Sequence, residues 1–278
     1  MLLARPLVQR LPPFVLTSHG GDLFGLRGGL ATRLKRWVLR RADAVSVVSR
    51  PMAEIAESLG ADPHRTAVIP MGVDFQNRFT PDPTTDRRPG EILFVGRLVE
   101  KKGLRYLIQA LPQIVARIPH AHVTIAGYGP EEAALRRLAD ELGVAEKVTF
   151  LGALPQEALP DLYRRAAVFV APFVRADSGD QDGFGLVVAE AIACGCPVAI
   201  GDVGVLAELF DADDSAARFP PGDIDALVEA VVAVLERPDE YSRRGAVLRA
   251  RLVERLHWDV IAGRYAVLLG SLLSRQPD

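Results

Sequence analysis

The chain has 278 residues, 49% hydrophobic and 24% charged, with a net charge of −2 and a pI near 6.2. That composition can bury one large core or two moderate ones, and its near-neutral balance gives bulk electrostatics no part in capturing nucleic acid. The two cysteines, Cys194 and Cys196, stand one residue apart, a spacing that suits neither a structural disulfide nor a zinc site and points to a reducing, cytoplasmic setting. No apolar run reaches the roughly 18 to 20 residues of a membrane span, and residues 1–10 lack a signal peptide's continuous apolar core.

Taken in order, short apolar runs at 13–17, 44–48 and 66–69 read as strands, with helices at 30–41 and 51–59 between them. Such alternation predicts a parallel, doubly wound sheet. Three strands and two helices leave at least one apolar edge open, so this first unit reads as incomplete. Between residues 27 and 41 stand Arg27, Arg33, Lys35, Arg36, Arg40 and Arg41 with no acid, while Leu30, Leu34 and Trp37 recur at helical spacing. Two readings stay open: a helix packed on the sheet with a solvated basic face, or one resting on an anionic membrane surface. Residues 73–90 are rich in Pro, Asp and Thr without periodicity and read as a linker.

From Glu91 the pattern restarts. Strands are predicted at 92–95, 123–126, 148–152 and 168–172, and helices at 104–117, 131–142 and 184–194. A helix N-capped by Asp223 follows, and then an amphipathic tail over 257–273, where His257 and Trp258 read as packing residues.

Three loops at strand ends carry the chemistry. Residues 175–182 join a strand to a helix N-terminus, whose free N–H groups and dipole suit a phosphate. Asp182 and Glu190, eight residues apart, would be about 12 Å apart along a regular helix, further than the roughly 5 to 9.5 Å of a glycosidase pair. Each therefore takes its own hydroxyl cluster, and Gly183 and Gly185 let a ligand approach the backbone. A ligand with phosphate between two sugars fits. In the loop over 96–103, Arg97 and Lys102 can converge on one phosphate between Gly96 and Gly103. Gly127 and Gly129, with Pro130 following, suit an ordinary strand-to-helix turn. No carboxylate cluster stands clearly beside these groups to hold a metal: Asp177, Asp180 and Asp182 come nearest, and loop aspartates are more often turn residues. Metal-independent chemistry with no cofactor is expected.

The acid-x7-Glu spacing from Asp182 to Glu190, with G-F-G-L-V inside it and G-C-P-V-A after it, resembles the signature of the retaining group 1 (family 4) glycosyltransferases. G-R-L-V-E-K-K-G at 96–103, G-Y-G-P at 127–130, T-S-H-G-G-D at 17–22 and I-P-M-G-V-D at 69–74 resemble further family motifs. The resemblance implies an α/β GT-B fold of two doubly wound, Rossmann-like domains: an incomplete N-terminal, acceptor-side domain over 1–75, a linker over 76–90, a donor domain over 91–256 and a helix over 257–278 returning to the first domain. It further implies that roughly the first third of a typical chain is absent.

By resemblance, Arg97 and Lys102 neutralise the leaving diphosphate, and Asp182 with the backbone of Gly183, Phe184, Gly185 and Leu186 holds the donor sugar. Glu190 binds the ribose, Gly96, Gly127 and Gly129 line the nucleotide, and His19 reaches the sugar from across the cleft. The family usually has Glu where Asp182 stands, one methylene longer. The expected reaction is hexose transfer from a nucleotide-diphosphate sugar to a hydroxyl acceptor, with retention. Two alternatives stand beside it: a donor-binding half protein that needs a partner chain to complete its first sheet, and a GT-B-fold sugar-nucleotide epimerase.

Overall fold

A computed structural model describes residues 12–25, 28–210 and 216–274, so the expectation for Arg27 lies outside the described residues. The first sheet has the order β1 (Val15–Ser18), β2 (Ala44–Val47), β3 (Thr66–Val68), all parallel, with α1 (Gly29–Leu39) and α2 (Arg50–Ser58) as crossovers. The second is built from β4 (Arg88–Val95), β5 (His122–Ala126), β6 (Val148–Gly152), β7 (Ala166–Ala171), β8 (Val198–Gly201) and β9 (Ala217–Phe219), in the order β6-β5-β4-β7-β8-β9. Its helices include α3 (Leu104–Arg117), α4 (Glu132–Glu141), α5 (Leu159–Arg165), α6 (Leu186–Ala193) and α7 (Ile224–Glu236). β4 and β7 are near-continuous apolar runs, Ile92 to Val95 and Val168 to Ala171, because helices cover both faces of the sheet.

Two boundary differences and one of packing stand out against the sequence reading. β4 reaches back to Arg88, three residues into the stretch read as linker, through an irregular register at Gly90, whose φ of +75° only glycine adopts readily. α6 begins at Leu186 rather than at residue 184, because Gly185 is left-handed (φ +80°) and ends the loop. The third difference concerns packing. Only Leu39 of α1 is fully buried, while Leu30 and Leu34 are 74% and 55% exposed, so the helix does not lay its apolar stripe on the sheet. Lys35 turns from the basic face to donate to the Leu23 carbonyl at 2.6 Å.

The two sheets share a core. Val45, Val47 and Met52 from the first belong to one apolar cluster with Leu93, Phe173, Phe184 and Leu206 from the second. Phe75 and Phe79 of the intervening segment are buried in the same cluster. After α8 (Pro238–Leu256) the chain turns at His257, which pairs with Val73, and α9 (Trp258–Leu273) lines an open groove of about 560 Å³ with residues 67–69 of the first sheet. His257 caps α9, its Nδ1 accepting from the Asp259 N–H, and the half-exposed Trp258 ring lies against Gly72.

Candidate functional site

The strand order of the second sheet reverses between β4 and β7, and a crevice at the carboxyl ends of such strands is the usual ligand position in open α/β sheets. The loops leaving those two strands are bound to one another. Gly103 (φ +66°) sits so close to the Pro172 carbonyl that a Cβ would lie 1.8 Å from its oxygen. Val174 N–H donates to the Lys101 carbonyl at 3.0 Å and Asp177 N–H to Glu100 Oε1 at 2.8 Å. Lys101 Nζ meets Asp180 at 3.0 Å and also donates to the Gln181 carbonyl.

Across this seam Lys102 Nζ lies 2.9 Å from Asp182 Oδ2 and 4.3 Å from the centre of the Phe173 ring. A cation over an aromatic face and beside a carboxylate is held in place, and a diphosphate can compete for it. Arg97, from the same loop, is exposed, and its guanidinium has no hydrogen bond or ion pair among the described residues. The two cations predicted from spacing are thus a fixed one and a free one. Asp180 and Asp182 each face a lysine, so these carboxylates are already compensated.

Asp182 stands in the loop before α6, and its Oδ1 accepts from the Gly183 N–H at 3.1 Å. The N-terminus of α6 has no side-chain cap, which leaves its first N–H groups for a ligand. Glu190 lies inside α6 with 4% exposure, and Tyr163 of α5 donates its hydroxyl to Glu190 Oε2 at 3.1 Å. Burial pushes the Glu190 carboxyl up to about 7, against the opposing influences of Tyr163, Gln156, Arg78 and Lys102.

Several residues expected to line the donor have structural reasons for their identity. A Cβ on Gly127 would meet the Gly96 carbonyl oxygen at 1.8 Å and one on Gly129 the Leu98 carbonyl oxygen at 2.3 Å, so these glycines let the loops after β4 and β5 pack together. Gly96 N–H donates to the Ala126 carbonyl and Leu98 N–H to that of Tyr128, closing that contact. Phe184 is buried in the core, so only its backbone can serve a ligand; Leu186 is half-buried.

From the first sheet, the turn after β1 brings His19 and Gly20 to Gly183: a Cβ on Gly183 would lie 2.2 Å from the His19 carbonyl oxygen. Asp22 shapes that turn by accepting from Ser18 Oγ (2.8 Å) and the Gly20 N–H (3.2 Å), and the His19 side chain is exposed. Ser49, at the N-cap position of α2, makes no cap bond and instead donates to the Gly183 carbonyl at 2.9 Å in a buried contact. Ser49, Lys101, Phe173, Tyr163 and Gln156 escaped the sequence reading, since each acts on a partner distant in the chain with no local spacing to mark it.

A family model described as "Glycosyl transferases group 1" matches residues 76–250, and one described as "Glycosyl transferase 4-like domain" matches residues 1–72. A GDP-mannose-dependent alpha-(1-6)-phosphatidylinositol monomannoside mannosyltransferase of Mycolicibacterium smegmatis is 33% identical over 97% of this chain and 73% of its own length. A glycogen synthase of Mycobacterium tuberculosis is 30% identical over 92% of this chain and 61% of its own. Among solved structures, Anabaena HepE in complex with UDP and glucose superposes with a TM-score of 0.82 at 22% identity, covering 93% of this chain and 72% of that one. The sucrose-phosphate synthase of Thermosynechococcus elongatus superposes with a TM-score of 0.81 at 26% identity, covering 99% and 71%.

Proposed function

Because this chain belongs to the group 1 glycosyltransferases and has their GT-B fold, using nucleotide sugars as donors, we propose that it moves a hexose to a hydroxyl acceptor with retention and without a metal. One observation carries the reading: Lys102, Asp182 and the start of α6 meet at the strand-order reversal, with Glu190 one turn into that helix.

In this reading the diphosphate lies over the seam between the loops after β4 and β7. Lys102 and Arg97 take up the negative charge that develops on the leaving phosphate, and the N–H groups at the start of α6 add to it. The bond from the anomeric carbon to the phosphate oxygen breaks, the acceptor oxygen bonds to that carbon, and the acceptor's proton passes to the departing phosphate. Asp182 and the 183–186 backbone hold the sugar hydroxyls, His19 approaches from the other side of the cleft, and Glu190 accepts from the ribose. The two lysine cations already beside Asp180 and Asp182 support a metal-free site.

A lipid-linked acceptor is favoured by the exposed Leu30 and Leu34 beside Arg33, Arg36 and Arg40, a pairing that suits an anionic membrane surface. The mannosyltransferase relative, named for a phosphatidylinositol acceptor, supports the same choice.

The test is turnover of GDP-mannose, UDP-glucose and ADP-glucose, with hydrolysis of the donor and transfer to inositol-lipid vesicles both measured. Lys102→Ala should lower kcat about 10²- to 10³-fold, as loss of a charge-stabilising group does elsewhere, and the product anomer should match the donor's. Failure of every donor to bind would overturn the reading. A second reading, a donor-binding half protein awaiting a partner chain, is favoured by β1 lying at the edge of a three-stranded sheet with no further strand beside it among the described residues; binding without turnover by the isolated chain would select it.

A further inference from the structure

Glu190, assigned to the ribose in the reading above, is held from α5, outside the loops after β4 and β7. Tyr163 donates to Glu190 Oε2 at 3.1 Å, and its ring is wedged edge-on between Phe169 of β7 (5.5 Å between centroids) and Phe79 of the interdomain segment (6.3 Å). Gln156, in the turn after β6, accepts through its Oε1 from Arg78 Nη1 at 2.7 Å. Arg78 belongs to the same interdomain segment as Phe79, and the next residue of α5, Arg164, clamps that segment by donating to the Thr80 carbonyl (2.8 Å) and Thr80 Oγ1 (3.0 Å). Both faces of α5 are thus committed: one to the acid, the other to the connection between the sheets.

We propose that Tyr163 is a positioning residue for Glu190, and that Phe79, packed on the Tyr163 ring, and Arg78, the neighbouring cation, make that hold depend on the interdomain segment, so that ribose binding and the placement of that segment form one unit. The proposal rests on the donor-site reading above. A buried carboxylate can accept about four hydrogen bonds, and one fixed protein donor leaves it oriented with capacity for the ribose hydroxyls. The charged and titratable groups around it are Tyr163, Arg78, Lys102, Cys194 and Cys196.

The experiment is calorimetric titration of the full chain with UDP, GDP and ADP between pH 6 and 8.5, on wild type, Tyr163→Phe, Arg78→Met, Glu190→Gln and the Arg78→Met/Glu190→Gln double variant, each also thermally melted. Tyr163→Phe keeps the packed ring and removes only the donor. Expected are a roughly three- to tenfold loss of affinity at pH 7.5 and a rise in the pH midpoint of binding, the direction in which losing a hydrogen bond to the charged carboxylate moves it. Arg78→Met should weaken binding in wild type and add nothing in the Glu190→Gln background. Unchanged affinity and midpoint in Tyr163→Phe, or an Arg78→Met effect that persists without Glu190, overturns the proposal while leaving the donor site standing. No binding by the wild type overturns the donor site itself, and the proposal with it.

Discussion

Lys102 and Asp182 neutralise each other at 2.9 Å before any donor arrives, which gives the pair opposite effects on binding and on chemistry. Asp182→Asn should free the lysine for the diphosphate and raise affinity for a nucleoside diphosphate roughly three- to tenfold, while lowering transfer because, in the proposed function, the sugar exchanges a charged carboxylate acceptor for a neutral amide. Titration calorimetry and initial rates on one preparation separate the two, and weaker diphosphate binding would show that Asp182 does not compete for Lys102. Glu190 adds a stability signature. Its folded value of about 7 lies above the ordinary 4.5, so its contribution is complete below about pH 4.5 and is lost as pH rises through 7. The loss is on the order of 3 kcal/mol. Urea unfolding of wild type and Glu190→Gln across pH 4.5 to 8 should diverge over that window, and parallel curves would refute the raised value.

At the scale of elements, the site depends on loops that approach one another more closely than a side chain allows. Gly103→Ala would place a methyl group 1.8 Å from the Pro172 carbonyl oxygen at a φ of +66°. We expect a loss of roughly 3 kcal/mol or more, with displacement of Lys102. Differential scanning calorimetry measures the first, and weakened diphosphate binding reports the second. The strand-to-glycine pattern that marked these loops in the sequence was legible because strand ends and positive-φ glycines are local features. The role of Gly127 and Gly129 was not, since the atoms that exclude a side chain there are carbonyls of Gly96 and Leu98, about thirty residues away.

At the scale of the whole molecule, the cleft is closed by contacts from one sheet to the other: His19 and Gly20 against Gly183, Ser49 on the Gly183 carbonyl, and α9 crossing to the first sheet. α1 joins this core through Leu39, while Leu30 and Leu34 face outward. If it rests on a membrane, Leu30→Ser/Leu34→Ser should abolish sedimentation with phosphatidylglycerol vesicles while leaving donor binding unchanged, and 0.5 M salt should weaken the wild-type association through the arginines, as a Debye length of only about 4 to 5 Å implies. Equal sedimentation of variant and wild type would remove the membrane from the account. Among the described residues no helix is long and apolar enough to cross a membrane.

The sequence alone determined the alternation of strands and helices, the three glycine-bearing loops at strand ends and the residue types within them, because hydrophobic period, glycine placement and charge spacing act over a few residues. Tertiary structure alone decided that Lys102 faces Asp182 while Arg97 has no partner among the described residues, that Glu190 is buried beneath Tyr163, and that α1 turns Leu30 and Leu34 outward. Each of those outcomes depends on which distant segment supplies a partner or withholds one, and such pairings are set by the strand order of the sheet rather than by neighbours along the chain.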